Sequence, residues 1–312
     1  MIIETAASCA PGFTEYCRLF CQLRSLVAAG QDESAEGEEL RDEMDFLWQR
    51  LTRADLDRLD GLAADLSHVG TERTQSGEVP DALCAEFRSL LATRDFDGAL
   101  RFLRENEGRL PARDVAVLRG ILWADLGQYA PAAVFMSDAI RLSPGDVRFL
   151  ALYFRFLLSS GQAKLAKAEA ARLTLDVADP YLLLLSADVL FDSLESIPGS
   201  GFEMELREVI QLVNRGIGSL PEAPSAPWRS AIASAAMYSK ALSHELLGEE
   251  AEAMTAASEA DKIAPLGRAT AIASQPKASA QSNGRFREEL HARRRLAHDE
   301  IVTSASPSLS AA

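Results

Sequence analysis

Between Tyr129 and Ile140 the apolar positions Tyr129, Ala132, Ala133, Met136, Ala139 and Ile140 recur three and four residues apart. That spacing is the stripe of an amphipathic helix. Just before it, Val117, Gly120, Ile121, Trp123 and Ala124 line one side of another helix. Gly127 and Gly161 stand where a helix must stop, and glycine tolerates the left-handed backbone that ends one. Pro144 cannot continue a helix, so the second member of the pair closes before it. Ahead of this region three more helices are predicted. The first, about 13–29, carries Tyr16, Leu19, Phe20, Leu23, Leu26 and Val27 on one side. The second, about 34–50, aligns Leu40, Met44, Leu47 and Trp48. Thr52-Arg53-Ala54-Asp55 resembles a capping box opening the third, which carries Leu56, Leu59, Ala63 and Leu66. Residues 67–80 read as a polar linker, 285–301 as a charged helix and 302–312 as a disordered tail.

The helical pattern repeats. Aligned on the small residue of each second helix, Ala99, Ala132 and Ala166 follow one another by 33 and 34 residues, and Pro111 and Pro144 by 33. A later copy has Leu247-Gly248, then Ala253, Ala257, Ala260 and Pro265. Between Ala166 and Ala253 there is room for one irregular unit, with helices over 180–192 and 202–215 and a Gly/Pro/Ser loop over 193–201. The alternative is that this stretch only links two subarrays. Residues 220–228 hold three prolines, a stiff connection that disfavours helix.

A helix–turn–helix unit of about 34 residues with aromatic, Leu-Gly, aromatic, Ala, aromatic and Pro positions resembles the tetratricopeptide repeat (TPR). The unit after residue 113 supplies Gly120, Trp123, Tyr129, Ala132, Met136, Ala139 and Pro144. The preceding unit supplies Leu90, Phe96, Ala99, Leu103 and Pro111, but Arg94 stands where the turn glycine is expected. The third keeps Phe154, Leu157, Gly161, Ala166 and Ala170, with Ala163 in place of an aromatic; the last keeps Gly248, Ala253, Ala257 and Pro265, with Ala241 in place of the first-helix glycine. The resemblance implies an all-α fold, a right-handed superhelical array of TPR-like helix–turn–helix repeats behind a small N-terminal helical region. The expected organisation is an N-terminal helical region and linker over 1–79, then an array over 80–265. Its units are 80–112, 113–146, 147–179, an irregular 180–220, and 228–265, with a C-terminal capping helix region over 266–301.

Composition narrows the function classes. Forty-seven per cent hydrophobic and 25% charged residues suit a folded soluble chain. A net charge of −14 argues against nucleic acid as the main partner, because phosphate binding runs on Lys and Arg. The charge is uneven: residues 1–80 hold 7 basic and 16 acidic groups, residues 266–312 hold 7 and 4. No apolar stretch approaches the ~20 residues of a membrane span, and Met1-Ile2-Ile3-Glu4 lacks the basic start of a secretory signal. A cytoplasmic protein without membrane insertion is expected.

Candidate chemistry is sparse. Cys17 and Cys21 share a helix face with Cys9 upstream, but there is no CxxC and no nearby His, so core packing is expected over a metal site. His291 and His298, seven apart among Arg293, Arg294 and Arg295, are expected on solvated helix surface; His244 is expected as a packed or hydrogen-bonded core residue. The acidic run from Asp32 to Asp45 suits a helix start, with calcium or a basic partner as alternatives. The arginine cluster suits a capping helix, with a docking site for an acidic surface as the alternative. No GxSxG, GxxxxGK[ST] or strand-borne GxGxxG occurs, and Gly199-Ser200-Gly201 follows Pro198 rather than a strand. No enzymatic activity, no cofactor and no metal are expected.

TPR proteins commonly hold a peptide or helix of another protein on the concave wall of the array. Mapped by register, that wall would use Cys84, Arg88 and Leu91, then Val117, Ile121, Ala124 and Asp125, then Arg148, Ala151, Arg155 and Leu158. Apolar positions with Arg at intervals would suit a protein or peptide partner, an amphipathic helix or extended segment carrying acids. The alternative is that some of these positions pack on the N-terminal helices. Grip on the carboxylate end of chaperone tails is not expected, since Arg88, Ile121 and Arg155 stand where Lys and Asn would be needed. The implied function is an adaptor or scaffold. A substrate-holding chaperone for secreted or assembling proteins, and a regulatory subunit of an enzyme complex, are the alternatives.

Overall fold

A computed structural model describes residues 11–70, 81–174, 179–196, 202–220, 226–264 and 282–305. Among the described residues the chain is all-helical, with fourteen α-helices and no strand. They fall into two compact bodies, one up to Ser160 and one from Gly161 to Ala305. That boundary lies inside the third expected repeat.

The N-terminal body begins with α1 (Pro11–Ala28), α2 (Ala35–Trp48) and α3 (Arg53–Ser67). It continues with α4 (Asp81–Ala92), α5 (Phe96–Asn106), α6 (Ala112–Asp125), α7 (Tyr129–Leu142) and α8 (Val147–Ser159). Each helix from α4 to α8 packs on the next, and α1 packs on both α2 and α7. The capping box opens α3 as expected: Thr52 Oγ1 accepts from the Asp55 N–H at 3.2 Å, and the Asp55 carboxylate accepts from the Thr52 N–H at 3.1 Å. The stripe expected on α1 is corrected. Phe13, Cys17, Leu19 and Cys21 are buried, while Val27 is exposed. The cysteines pack as small apolar groups, and burial pushes the Cys21 thiol up to about 12. Of the apolar positions expected on α2 Met44 alone is buried, and Trp48 lies partly exposed with its ring 5.7 Å from that of Tyr16. On α3 the inward positions are Asp55, Leu59, Leu62, Asp65 and Leu66, and Ala63 faces solvent.

Ala99, Ala132, Ala166 and Ala253, the aligned small residues, are all fully buried. Five positions before each, the backbone is left-handed: φ is 56° at Arg94, 75° at Gly127, 77° at Gly161 and 79° at Gly248. Small size at the buried position matters because helices approach closely there. At Gly120 a side-chain carbon would sit 2.9 Å from Met136 Sδ and 3.3 Å from the Ala132 carbonyl oxygen, so any larger residue would push α6 and α7 apart. Arg94 adopts the turn conformation that glycine provides elsewhere, at a cost of roughly 1–2 kcal/mol. Arg94→Gly should therefore raise stability by about 1 kcal/mol, read as a higher urea midpoint; an unchanged or lower midpoint would show that the Arg side chain outweighs the strain.

The C-terminal body contains α9 (Ala163–Thr174), α10 (Pro180–Ser196), α11 (Phe202–Gly218), α12 (Pro227–Leu246), α13 (Glu250–Ile263) and α14 (Ser282–Ala305). Helix α10 packs on α9, α11 and α12; α12 packs on α11, α13 and α14. The irregular pair expected over 180–215 is present, each helix a few residues longer than expected. Pro227 takes the first turn of α12, where its missing N–H costs nothing. Helix α14 extends through Ala305, so Val302 to Ala305 are helical rather than part of a tail. The remainder of the expected linker, loop, proline-rich connection and tail (71–80, 197–201, 221–225 and 306–312) lies outside the described residues, as do Cys9 and Gly199 to Gly201.

Candidate functional site

The positions assigned by register to a partner-binding wall lie on α4, α6 and α8 of the N-terminal body. Leu91, Ile121 and Leu158 are half-buried, and Asp125 and Arg155 are exposed. Val117 has no exposed surface and belongs to the core. Arg148 is engaged within its own helix end: Nε and Nη2 donate to the Asp146 carboxylate at 3.0 and 2.6 Å, which raises the guanidinium further above its ordinary range. The side chains of Cys84 and Arg88 lie outside the described residues. Helix α1 packs on α7, the second helix of its pair, with Gln128 Nε2 donating to Thr14 Oγ1 at 3.1 Å.

Behind the α6 core a charged cluster joins α3 to α5 and α6. Asp65 is fully buried; Arg104 Nε donates to its Oδ1 at 2.9 Å, and Arg119 Nη2 stands 2.9 Å from the same oxygen without hydrogen-bond alignment. Arg119 Nη1 donates to Glu107 at 3.0 Å. Burial raises the Asp65 carboxyl, and Arg119 and Arg104 offset this only in part. A shallow crevice beside it is lined by His68, Glu107, Arg119, Phe135 and Asp138.

The C-terminal body holds a more complete constellation, and none of its members is a position picked out by register. Helix α14 turns Leu290, Arg294, Ala297 and Ile301 inward, a four–three–four spacing with an arginine in the stripe. Arg294 is 5% exposed. Its Nε donates to Asp188 Oδ1 at 2.8 Å, its Nη1 to Asp192 Oδ1 at 2.5 Å, and its Nη2 to the Asp188 carbonyl at 3.1 Å. The guanidinium also lies 5.1 Å from the centre of the Phe191 ring. Asp188 sits on α10 in the run from Leu182 to Leu190, where Ser186 is the other polar residue, and it accepts from Ser239 Oγ of α12 at 2.6 Å. His298 Nε2 lies 2.6 Å from Asp188 Oδ2. Burial alone would raise Asp188, but Arg294 and His298 outweigh it and hold the carboxyl well below the ordinary carboxylate range. An ionised Asp188 can only accept, so His298 Nε2 is the donor.

Around this centre, Arg287 Nε donates to Glu245 of α12 at 2.7 Å, and Arg293 pairs with Asp261 of α13. Arg287, Arg293, Arg294 and His298 therefore all meet carboxylates of the seat: Glu245 of α12, Asp261 of α13, Asp188 and Asp192 of α10, and Asp188 again. The expectation that His298 lies on solvated helix surface is corrected: it is half-buried against Asp188, because α10 presents the acids that meet it and Arg294. His244, by contrast, is buried and hydrogen-bonded as expected, with Nδ1 2.6 Å from Glu249 Oε2. The sequence signals for the seat are faint: one Asp within an apolar run, and an Arg at an apolar spacing.

Among the described residues no group of three or more His, Cys, Asp or Glu is arranged to hold a metal ion, and no helix is long and apolar enough to cross a membrane. What the C-terminal arrangement can do is hold an amphipathic helix in a fixed register through buried charge pairs. No family model matches the chain, and no curated protein is significantly similar to it.

Proposed function

We propose that the chain is a protein–protein interaction module built from TPR-like helical hairpins, with no reaction of its own, whose first-helix faces receive a helix or extended segment of a partner protein. The repeat reading is supported by the shared local geometry at Arg94, Gly127, Gly161 and Gly248 and by the buried alanine five residues after each. One observation carries the functional reading. Helix α14 lies along α12 with its arginine inserted among acids of α10, so a first-helix face of this chain is already used to seat another helix. On the N-terminal body, the face marked by Leu91, Ile121, Asp125, Arg155 and Leu158 combines half-buried apolar groups with an exposed arginine and one acid, and with the register position Arg88 it suits an amphipathic segment carrying acids.

The test is affinity capture from native cells with the intact chain, compared with Arg88→Glu/Arg155→Glu. The variant should lose one or more proteins that the wild type retains. A peptide from the acidic helix of a lost protein should bind the wild type more weakly as salt rises. Identical recovery by the two baits would reject the N-terminal face as the binding surface.

A further inference from the structure

The seat of α14 has a chemistry that specifies its occupant. It is built from Asp188 and Asp192 of α10, Ser239 and Glu245 of α12, and Asp261 of α13, and it is filled by three arginines and a histidine of one helix. Among the described side chains of α14, Leu290, Ala297 and Ile301 are the apolar ones that are buried. A helix held mainly by oil exposes a sticky surface when it leaves. Here departure returns charges to water on both sides: the arginines of α14, and the carboxylates and serine of the seat. Desolvation nearly cancels attraction in such buried pairs, so they set register and partner identity more strongly than they add stability.

We propose that the α10–α12–α13 face is a receptor for an arginine-bearing amphipathic helix of a partner protein, and that α14 is its resident competitor in cis. The helix that fits carries an inward arginine, apolar or small residues four before, three after and seven after it, and basic residues at the flanks. This proposal rests on the interaction-module reading but concerns the other body, so the capture experiment with Arg88 and Arg155 stands or falls separately. Binding of the partner helix exchanges one set of charge pairs for an equivalent set. The resident helix has the advantage of belonging to the same chain, which makes its binding intramolecular. An incoming helix therefore binds weakly until α14 is loosened.

The test uses the intact chain and a fluorescein-labelled peptide of residues 282–305 as the probe. The wild-type chain should bind it weakly. Chains carrying Arg294→Glu, or Arg287→Glu/Arg293→Glu to release the flanks while leaving the buried centre unchanged, should bind it at least about tenfold more tightly. The second variant keeps the test meaningful if the first fails to fold. A peptide with Arg294→Glu should bind none of these chains. Binding to the opened chains that is no tighter than to wild type, or equal binding of the altered peptide, would overturn the proposal.

Discussion

Asp188→Ala should destabilise the C-terminal body by about 3–5 kcal/mol, the cost of leaving a buried charge without its partner. The side chain removed accepts from Ser239, Arg294 and His298 at once, and Arg294 would remain enclosed with only Asp192 and a carbonyl to receive its donors. Apolar replacement of both charges behaves differently, because burying the pair is itself costly. Asp188→Leu/Arg294→Met should recover more than half of the loss, measured by urea unfolding in a double-mutant cycle. If the double variant is as unstable as Asp188→Ala, the two residues are not acting on each other. The same pair gives an acid dependence. A carboxyl held below its ordinary value of 3.8 contributes stability that is complete above that value and is lost as pH falls toward the depressed one. Attachment of α14 should therefore weaken progressively below about pH 4, and Asp188→Ala should lack that component.

Trp123→Ala is the second large effect expected, about 3–5 kcal/mol in the N-terminal body. Trp123 is fully buried on α6, three residues from the close approach of Gly120 to Met136, so its removal opens a cavity in a packed interior. Its indole Nε1 is buried with no hydrogen-bond partner among the described residues. Trp123→Phe removes that unsatisfied donor along with some volume, so it should lose less than half as much as the alanine variant. Denaturation followed by circular dichroism checks both. Equal losses from the two substitutions would mean that packing at this site depends on the indole nitrogen rather than on ring volume.

The helices themselves were largely legible because they rest on local rules. Gly127, Gly161 and Gly248 mark turns, Thr52 and Asp55 mark a helix start, and the 33- and 34-residue steps mark equivalent buried alanines. Even Arg94, which breaks the glycine pattern, was located as a turn by the repeat. Two kinds of feature escaped. On α1 the inward positions Phe13, Cys17 and Cys21 follow a clean four-residue spacing, but a second apolar face with Leu23, Leu26 and Val27 competes with it. Which face is buried is decided by α2 and α7, not by α1. The buried charges escaped for a related reason. Asp65, Asp188 and Arg294 read as solvent-facing in any polar–apolar pattern, and each becomes an inward position only through a partner far along the chain. Arg294 and Asp188 are 106 residues apart, and Asp65 and Arg104 are 39 apart. The histidine and arginine run of α14 consequently looked like a wet outer surface, whereas Arg293 and Arg294 meet Asp261 and Asp188 and Arg295 beside them is exposed.

Hydrogen exchange on the intact chain, comparing wild type with Arg294→Glu, addresses most directly whether buried charge seats one helix upon the repeat-like face. Amides from Leu290 to Ile301 should be protected in the wild type and should exchange much faster in the variant. Faster exchange should extend to the facing turns of α10 and α12 and leave α6 and α7 unchanged. Equal and rapid exchange of α14 in both proteins, or loss of protection spread evenly over all helices, would contradict a helix held in place by Asp188, Asp192 and Arg294.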